Sequence, residues 1–575
     1  MFLATTSIAD HWKNEDDIVF LGKWCLHKNQ SLLQNKTHVL LPYVWDDRKK
    51  LSESYIHANS LYDELLPPLV KWLNTYHQES HSEIYWEIIV GLWFKFFIHH
   101  SIDRFEALKQ AKLFNSNLKT VITKSLIIPK SFLHFSDLSM ESDEYNFCIF
   151  SEFIRAYNLF DHEEVELTYT PSSFTNKVMK KKQKFKNFLV TGFNKCNPGI
   201  FFYNSNIGIE NELKISLKNL SLPGSLIYFQ PCYKIAKRDF APMPKLSLDS
   251  NADFKLFIFE LAKRLIPSSY LESYKNLKSQ AFNYFPSKVK NILTSNAIDY
   301  DDVFKIWVAF QKEKGSRLII NQHGGQYGAA FQLPLEDHEI KVCDQFLTWG
   351  WKSEGNQKVI PFYVPKKYIH RPQNNDATKI LMATVSSSRY TKYFYSAPLS
   401  NQILQEFQMH LDFIEKLPLN FHSKIYYRMK KAYGQGEEVS LRTKFPDVQI
   451  EHAHIIPLER SIQQSRLFIS TYNATTFLES FMMNVPTLLF WNFEHRELKE
   501  EVKRYYQLLV DQEILFDSAE KLSHKVQEIY KDPYLWWNKN STQKALSEFG
   551  NYFTKKTSNY ANLLENQINS NYKKQ

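Results

Sequence analysis

The chain has 575 residues, of which 43% are hydrophobic and 23% are charged, and its net charge is +10. This balance is typical of a globular protein with at least two domains and argues against long disordered regions. The five cysteines, which include no C-x-x-C pair, argue against a disulfide framework or a cysteine zinc site and favour a reducing cytosol.

The first half of the chain mixes strand and helix patterns. Residues 140–245 carry short apolar runs, several prolines and basic loops, which predict an insertion. The predicted elements are strands over 2–6 and 37–43, a turn at 21–25, and helices over about 55–76, 83–113, 251–265 and 271–280.

No leader or membrane span is predicted. The start of the chain lacks the basic flank of a secretory signal. The apolar segment 84–98 is interrupted by Glu87 and Lys95 and is too short to cross a bilayer. The basic run 180–186 would attract a phosphate-rich or anionic partner, but a solvated face is the favoured interpretation. No nucleic-acid-binding module is present, so no nucleic-acid partner is expected.

A regular alternation of strands and helices begins near residue 290. Strands separated by helices of this length predict parallel sheets covered by helices on both faces. The polar stretch 366–378 is predicted to be a linker between domains 1–365 and 379–540, and 541–575 a helical tail. Strands are predicted over 292–295, 317–322, 345–349, 359–363, 379–385, 424–428, 448–451, 466–470, 486–491 and 514–516.

Small polar residues follow the strand 466–470 where a helix is predicted to begin. Backbone N–H groups, short side chains and the positive helix end would converge there on an anion. A cap of the helix by Thr471 or Asn473 is an equally good interpretation of the same residues. If the site is real, the residues expected to hold the phosphates of a nucleotide-linked substrate are Ser470, Thr471, Asn473, Thr475 and Thr476, with Glu479 on a ribose or sugar hydroxyl.

A second candidate site is the cleft loop that follows the strand 317–322, and its residues are His323, Gly324, Gly325, Gln326, Tyr327 and Gly328. Glycine is rare in this chain, yet three glycines lie together here. Because glycine has no side chain, the backbone of such a loop can lie close to a ligand. A histidine at a strand's carboxyl end would point into the crevice where such sheets bind ligands. A tight turn with a packed histidine is the alternative.

Other polar side chains follow predicted strands. Arg428 would grip a diphosphate or form a surface ion pair. Ser387 and Arg389 lie in the first crevice loop of the second half and would contact a phosphate or form a hydrophilic turn. His452 and His454 would border a nucleobase pocket or lie exposed in a loop.

No metal site is predicted. There is no H-E-x-x-H sequence, and residues 336–339 lack ligand spacing. Asp299 and Asp301 form a D-x-D pair, but they precede an apolar-periodic helix, so capping is favoured over binding of a metal–nucleotide. The chain contains no P-loop and no G-x-S-x-G elbow, so kinase, ATPase and hydrolase readings lack their core parts.

These features together resemble a GT-B glycosyltransferase. More closely, the chain is similar to a family of transferases from bacterial O-antigen and surface-polysaccharide gene clusters. Its second half also resembles capsule Kdo transferases and CDP-glycerol glycerophosphotransferases. Those relatives often carry an acidic residue and a serine where this chain has Ser470, Tyr472 and Asn473, which leaves the donor open. The residues that carry the resemblance are 2–6, 21–25, 41–46, 321–328, 348–351 and 470–486.

The resemblance implies an α/β, GT-B-like fold with two Rossmann-like domains facing a cleft, and no metal or cofactor. It implies transfer of a sugar from a nucleotide-sugar donor, with CMP-ulosonate one candidate, to a lipid-linked glycan at the inner face of the cytoplasmic membrane. A CDP-alditol phosphotransferase and a non-catalytic glycan-binding protein are the alternatives. The residues expected to be catalytic are His323, Arg428 and a base among Asp337, His338 and Asp10.

Overall fold

The computed structural model describes residues 1–366, 376–429 and 436–570. Within the first of these ranges it leaves out residues 28, 35, 170–191, 193–197, 220, 228–230, 232, 235–237, 239–242, 244 and 249. The basic run 180–186 and two of the five cysteines, Cys196 and Cys232, therefore lie outside the described residues.

Three parallel sheets organise the described chain, which confirms the α/β class. Two of them lie in the first half, where one Rossmann-like unit was expected. In the first sheet the strand order is β3-β2-β1-β4-β5, and in the second it is β10-β9-β8-β7-β6. The strands are β1 (Phe2–Ala4), β2 (Asp17–Phe20), β3 (Thr37–Leu40), β4 (Lys119–Ile122), β5 (Asp161–Glu164), β6 (Ile200–Phe202), β7 (Asn291–Thr294), β8 (Arg317–Asn321), β9 (Gln345–Thr348) and β10 (Val359–Pro361).

The third sheet forms the second half in the order β13-β12-β11-β14-β15-β16, with every pair parallel. The strands of this sheet lie where the alternation of strand and helix patterns predicted them. Its strands are β11 (Ile380–Ala383), β12 (Ile425–Met429), β13 (Gln449–His452), β14 (Leu467–Ser470), β15 (Thr487–Phe490) and β16 (Leu515–Phe516).

The region 140–245, expected to be an insertion, supplies an edge strand to each sheet of the first half. These are β5 and β6, which pair with β4 and β7. The strand β5 reads Asp-His-Glu-Glu and carries no buried residue, so its sequence lacks the apolar alternation that predicts a strand.

Helices cover the sheets. In the first half they are Arg48–His77, Glu83–Phe114, Phe132–Glu141, Asp143–Tyr157, Ile209–Lys218, Asn251–Leu265, Tyr274–Tyr284, Ala297–Tyr300, Asp302–Glu313 and Pro334–Val342. In the second half they are Ile403–Lys416, Leu419–His422, Glu437–Lys444, Leu458–Gln463, Thr475–Met482, Lys503–Asp511, Ala519–Ile529, Pro533–Trp537, Asn540–Phe553 and Tyr560–Ser570.

The helix Glu83–Phe114 is the centre of the first half, because it is buried on all sides along most of its length. Its two interrupting charges are paired in the interior: Glu87 accepts a hydrogen bond of 2.9 Å from the Tyr62 hydroxyl, and Lys95 donates one of 2.6 Å to Asn59. Among the described residues, no helix has the length and apolar content needed to cross a membrane.

The two halves are tied together by chain that returns from the second to the first. The last helix, Tyr560–Ser570, packs Leu564 and Ile568 into the core beneath the second sheet. Before it, the backbone of Lys555 bonds to Trp349 O at 2.8 Å and to Val364 N at 2.9 Å. The carboxyl-terminal helices therefore serve both halves.

Candidate functional site

The order of the third sheet defines a crevice. Numbered along the chain, its strands run 3-2-1-4-5-6, so the direction of winding reverses between β11 and β14. In doubly wound sheets, ligands bind outside the carboxyl ends of the strands at this reversal. Ser470 ends β14 opposite Ala383 of β11, and Thr471 donates to Ala383 O through both its N–H and its hydroxyl, at 3.1 Å each. The predicted polar segment thus begins at the reversal point.

The helix Thr475–Met482 starts without a side-chain cap. Its N-cap residue is Ala474, which has no side chain able to cap. The interpretation in which Thr471 or Asn473 caps this helix is therefore wrong: Thr471 is bonded to β11, and Asn473 Oδ1 accepts a bond of 2.8 Å from the Tyr506 hydroxyl. The first-turn N–H groups are left for another acceptor, and the positive helix end favours an anion.

The structure divides the predicted donor-binding residues into two groups. Ser470 and Thr476 are buried, and their hydroxyls are bonded to Tyr472, so with Thr471 they shape the loop. Thr475 and Glu479 are half-buried on the open side of the helix. Asn473 is buried, but it borders a cavity described below.

The cleft loop docks on the start of this helix. Gly325 donates its N–H to Thr475 Oγ1 at 3.0 Å. A Cβ atom at Gly325 would lie 2.5 Å from Ala474 C and from Thr475 N, so a side chain there cannot fit without movement. The two halves therefore face each other at the helix end, as the expected GT-B-like arrangement requires.

Two other glycines of the cleft loop, Gly328 and Gly324, also lie where a side chain would clash. Gly328 has φ +73°, and a Cβ there would lie 2.3 Å from the Trp351 ring. Its N–H donates to Glu336 at 2.6 Å, and Lys499 from the second half binds the same carboxylate at 2.5 Å. Gly324 packs on the ring of Tyr327. The loop is thus held from both halves of the molecule.

His323 lies in a group of acidic side chains at the carboxyl edge of the second sheet. Its Nε2 is 2.8 Å from Glu339 Oε1, 2.8 Å from the Tyr327 hydroxyl and 3.5 Å from Asp299 Oδ2. Burial lowers the pKa of His323, partly opposed by Asp299, and burial raises the pKa of both carboxyl groups. We call His323, Asp299 and Glu339 the His323 cluster.

Sequence reasoning considered the two acidic members of this cluster separately and did not predict that they lie beside His323. Asp301, not Asp299, caps the helix Asp302–Glu313, since its Oδ1 accepts from Val303 N at 3.1 Å and Phe304 N at 3.0 Å. Asp299 is left to face His323. The available signal was position: Asp299 and His323 follow the neighbouring strands β7 and β8.

Two cavities lie near the helix Thr475–Met482, one beside Glu479 and one beside Asn473. One of about 660 Å³ is lined from the first half by residues 206–211 and from the second half by Glu459, with Lys366 on its wall. Lys366 Nζ lies 3.3 Å from Glu479, which places this cavity beside the open side of the helix. The other, of about 320 Å³, lies at the ends of β14, β15 and β16 and is lined by Asn473, Trp491, Phe493, Arg496, Lys503 and Tyr506, among others.

The family model described as LIC12162 family transferase matches residues 1–568. The chain belongs to this family. No curated protein matches the chain in sequence. Membership explains why the resemblance extended over nearly the whole chain, and it establishes the class of the protein as a transferase.

Several solved structures are similar to the chain, though distantly. TarM is 10% identical with a TM-score of 0.32 over 48% of this chain, which spans only 54% of TarM. MnaA of S. aureus, solved with UDP, is 10% identical with a TM-score of 0.37 over 65% of this chain and 96% of MnaA. The wall teichoic acid polymerase TagF, solved with CDPG, is 10% identical with a TM-score of 0.28 over 52% of this chain and 84% of TagF. Likenesses this distant carry no argument about the fold or the function of this chain.

The structure does not leave Arg428 available for a phosphate. Its guanidinium is buried, pairs with Glu451 and donates to Ala453 O at 3.1 Å and Ile456 O at 2.8 Å. Glu451 is also bonded by Lys379 at 2.5 Å and by Ser461. The expected leaving-group role is corrected: Arg428 holds the ends of β12 and β13 together.

Arg389 and Ser387 are likewise engaged elsewhere. Arg389 reaches across to the first half, where it pairs with Asp143 at 3.0 Å and donates to Glu141 O. Tyr390 bonds the same Asp143 at 2.5 Å. Ser387 is buried and donates to Pro398 O at 3.3 Å. Their loop anchors the second half to the first, which corrects the expectation that they contact a donor.

The three candidate bases are not at the docked loop. His338 is fully buried against Gly91, and neither ring nitrogen has a hydrogen-bond partner among the described residues. Asp337 accepts a hydrogen bond from the Tyr55 hydroxyl on the helix Arg48–His77. Asp10 is exposed, and its bond to Lys13 lowers the pKa of the carboxyl group. Each is held by local packing or pairing, whereas the His323 cluster lies at the start of the cleft loop.

Proposed function

We propose that this transferase moves a sugar from a nucleotide-activated donor to a surface-polysaccharide acceptor. One observation carries the proposal: the uncapped start of the helix Thr475–Met482 lies at the winding reversal of the third sheet and is faced by the cleft loop. Such a helix end favours the phosphates that all nucleotide-sugars share. Family membership supplies the transferase class.

The donor's phosphates would bind the N–H groups of the first helical turn and the Thr475 hydroxyl. As the bond to the sugar breaks, negative charge grows on the leaving phosphate, and the helix end stabilises it without reorganising. Because Arg428 is committed to Glu451, this backbone site takes over the electrostatic role expected of the arginine.

The nucleoside would extend from the phosphate site toward the larger cavity. Glu479 stands between the helix start and this cavity and is bonded to Lys366 on the cavity wall. A carboxylate there accepts hydrogen bonds from ribose hydroxyls, as acidic residues do in dinucleotide sites. The smaller cavity would then receive the transferred group. Arg496 in its lining is paired with Glu406 at 2.9 Å and Lys503 with Glu500 at 2.6 Å, so the charge of this cavity does not by itself select an acidic sugar such as a CMP-activated ulosonate.

The acceptor would approach from the first half, on the side of the His323 cluster. His323 lies two residues before Gly325, which touches the donor helix. Transfer to a hydroxyl needs a group that takes its proton, and the cluster offers the acid–base groups at this point. We assign the acid–base step to the cluster as a whole.

Contact with a lipid-linked acceptor would bring the protein to the inner membrane face. The end of the helix Glu83–Phe114 supports this, since Leu113 is 88% and Phe114 48% exposed. Exposed apolar side chains insert at a lipid surface, and the positive net charge of the chain favours anionic headgroups. Sedimentation with vesicles containing anionic lipid should capture the protein, and Leu113→Asp should weaken the capture. Equal capture of both proteins would refute this contact.

A thermal-shift screen of nucleotides and nucleotide-sugars tests the donor site, because a ligand of the folded state raises the melting temperature. We expect stabilisation by compounds sharing one base and a loss of most of it in Thr475→Val and Glu479→Ala. Thr443→Val, an exposed threonine of another helix in the second half, is the matched control. The donor site is wrong if Thr475→Val and Glu479→Ala respond like the wild type.

Product analysis separates the competing functions. Release of the nucleotide with transfer of the sugar alone supports a glycosyltransferase. Release of CMP with a phosphate retained in the polymer would establish the CDP-alditol phosphotransferase instead. Binding of glycan by a protein that no nucleotide stabilises would support a non-catalytic glycan-binding protein.

A further inference from the structure

The His323 cluster has the composition of a metal site. One ligand atom from each of Asp299, His323 and Glu339 lies within 4.8 Å of the other two, and within the described part of the chain this is the one such group of three or more. A neutral imidazole nitrogen with two carboxylates is a ligand set that Zn²⁺ and Mn²⁺ both accept. The three side chains come from separate elements, since they follow β7, follow β8 and lie in the helix Pro334–Val342.

The geometry is close to that of a coordinated ion. Ligand atoms about 2.1 Å from a tetrahedral ion lie about 3.4 Å from each other. His323 Nε2 lies 3.5 Å from Asp299 Oδ2 and 2.8 Å from Glu339 Oε1. A small outward movement of Glu339 would therefore open room for an ion between existing atoms.

A second, independent observation points to a missing positive partner. The Glu339 side chain is fully buried, and that of Asp299 is 11% exposed. Glu339 Oε2 and Asp299 Oδ1 have no hydrogen-bond partner in the part of the chain that the structure describes. Buried carboxylate oxygens are normally satisfied, and a cation is one of the groups that satisfy them.

The nearby lysine does not replace such a cation. Lys305 is buried near Asp299, but its Nζ is placed 3.5 Å from Asp302 and 3.4 Å from the Tyr270 hydroxyl. Two carboxylates around one divalent ion would form a neutral group, in which the ion replaces the proton favoured by the raised pKa of these two acids.

The site also has an outer shell and an open side. The Tyr327 hydroxyl, 2.8 Å from His323 Nε2, would move to a carboxylate oxygen when the ion takes that nitrogen. The His323 side chain is 16% exposed and that of Asp299 is 11% exposed, so solvent reaches the cluster. Three protein ligands with an open position is the pattern of catalytic rather than structural sites.

We propose that Asp299, His323 and Glu339 bind one divalent transition-metal ion, Zn²⁺ or Mn²⁺, next to the donor helix. The resemblance to GT-B enzymes implied no metal, so this site departs from that expectation. A water molecule bound to the ion would be more acidic than free water, and as hydroxide it would be the acid–base group of the cluster.

The test is metal content in the full-length protein. The protein is stripped with a chelator, incubated separately with Zn²⁺, Mn²⁺ and Mg²⁺, and passed through gel filtration before elemental analysis. We expect one equivalent of Zn²⁺ or Mn²⁺ to be retained and to raise the melting temperature, and Glu339→Gln and Asp299→Asn to lose both effects.

His81→Ala is the matched control. His81 also contacts two carboxylates, Glu313 at 2.6 Å and Glu79 at 2.9 Å, but through opposite ring nitrogens, so it cannot gather them around one ion. This variant should keep the metal. Retention of the same metal by Glu339→Gln and Asp299→Asn would overturn the site, as would failure of the wild type to retain any ion.

Two further measurements keep the result interpretable. The Co²⁺-loaded wild type should show visible absorption bands typical of low coordination with nitrogen and oxygen ligands, a readout that needs no variant to fold. A spectrum typical of six-coordinate Co²⁺, identical with and without the protein, would count against the site. Nucleotide-induced thermal shifts measured in excess chelator test the donor site alone, so failure of the metal site and failure of the proposed function can be distinguished.

Discussion

The contact between Gly325 and the start of the donor helix can be tested by adding one methyl group. In Gly325→Ala the new Cβ would lie 2.5 Å from Ala474 C and Thr475 N, whereas ordinary contact begins at 3.4 Å. The loop and the helix must therefore separate by about 0.9 Å. Overpacking of this kind costs about 1–3 kcal/mol, and the hydrogen bond to Thr475 Oγ1 contributes about 1 kcal/mol more if it breaks.

Because the contact joins the two halves, the cost should appear in ligand binding as well as in stability. If the donor binds only when the cleft loop contacts the helix start, a cost of about 1–3 kcal/mol weakens its affinity about fivefold to 150-fold. Isothermal titration calorimetry with the stabilising nucleotide measures the affinity, and differential scanning fluorimetry measures the melting temperature. We expect both to fall.

The same substitution elsewhere controls for the added methyl group. Gly550 lies within the helix Asn540–Phe553, where a Cβ would meet Thr554 Oγ1 at 3.3 Å. Gly550→Ala should leave donor affinity unchanged and change the melting temperature little, because the gain in backbone entropy is offset by the 3.3 Å contact with Thr554 Oγ1. If Gly325→Ala matches the wild type in affinity and melting temperature, the two halves do not close against each other as described.

Three further changes test the packing around the site. Gly328→Ala should destabilise the protein by about 2–4 kcal/mol in chemical denaturation, because it combines a left-handed backbone with a clash on Trp351. Asp301→Ala should cost about 1 kcal/mol through the lost cap of the helix Asp302–Glu313, and Asp301→Asn should restore most of it; equal losses would show that the cap is unimportant. Burial would raise the pKa of Glu451, but bonds from its lysine, serine and arginine partners outweigh burial and lower it. The stability from this carboxylate is therefore present above its unfolded pKa of about 4.3 and is lost as pH falls through the lower folded pKa; urea titrations from pH 6 to pH 3 should show a steeper decline for the wild type than for Glu451→Gln.

Local patterns in the sequence were sufficient to predict parallel sheets. The third sheet alternates strands with helices, and three of its strands, β11, β14 and β15, are fully buried, a pattern that needs only short apolar runs. The edge strand β5 has no such run, so only pairing with β4 reveals it. Which strands share a sheet also depends on pairing, so the division of the first half into two sheets was not predicted.

The chemistry of individual side chains was harder to predict than their position. Arg428 and Arg389 lie at strand ends as expected, but each is neutralised by a carboxylate that the sequence does not pair with it, Glu451 and Asp143. His338 and Glu339 are neighbours in sequence, yet one is packed in the core and the other faces His323. A charged group's role depends on partners that are brought together only by folding.

The sequence by itself determined that the segment from Ser470 to Glu479 and the cleft loop follow strands of α/β units, because apolar periodicity and clustered glycines are local properties. The tertiary structure decided that these two segments touch, that Ala474 leaves the helix start uncapped, and that Asp299 and Glu339 surround His323. The physical reason is that strand order and side-chain contacts depend on packing between residues far apart in the sequence, which no local pattern encodes; Gly325 and Thr475 are 150 positions apart.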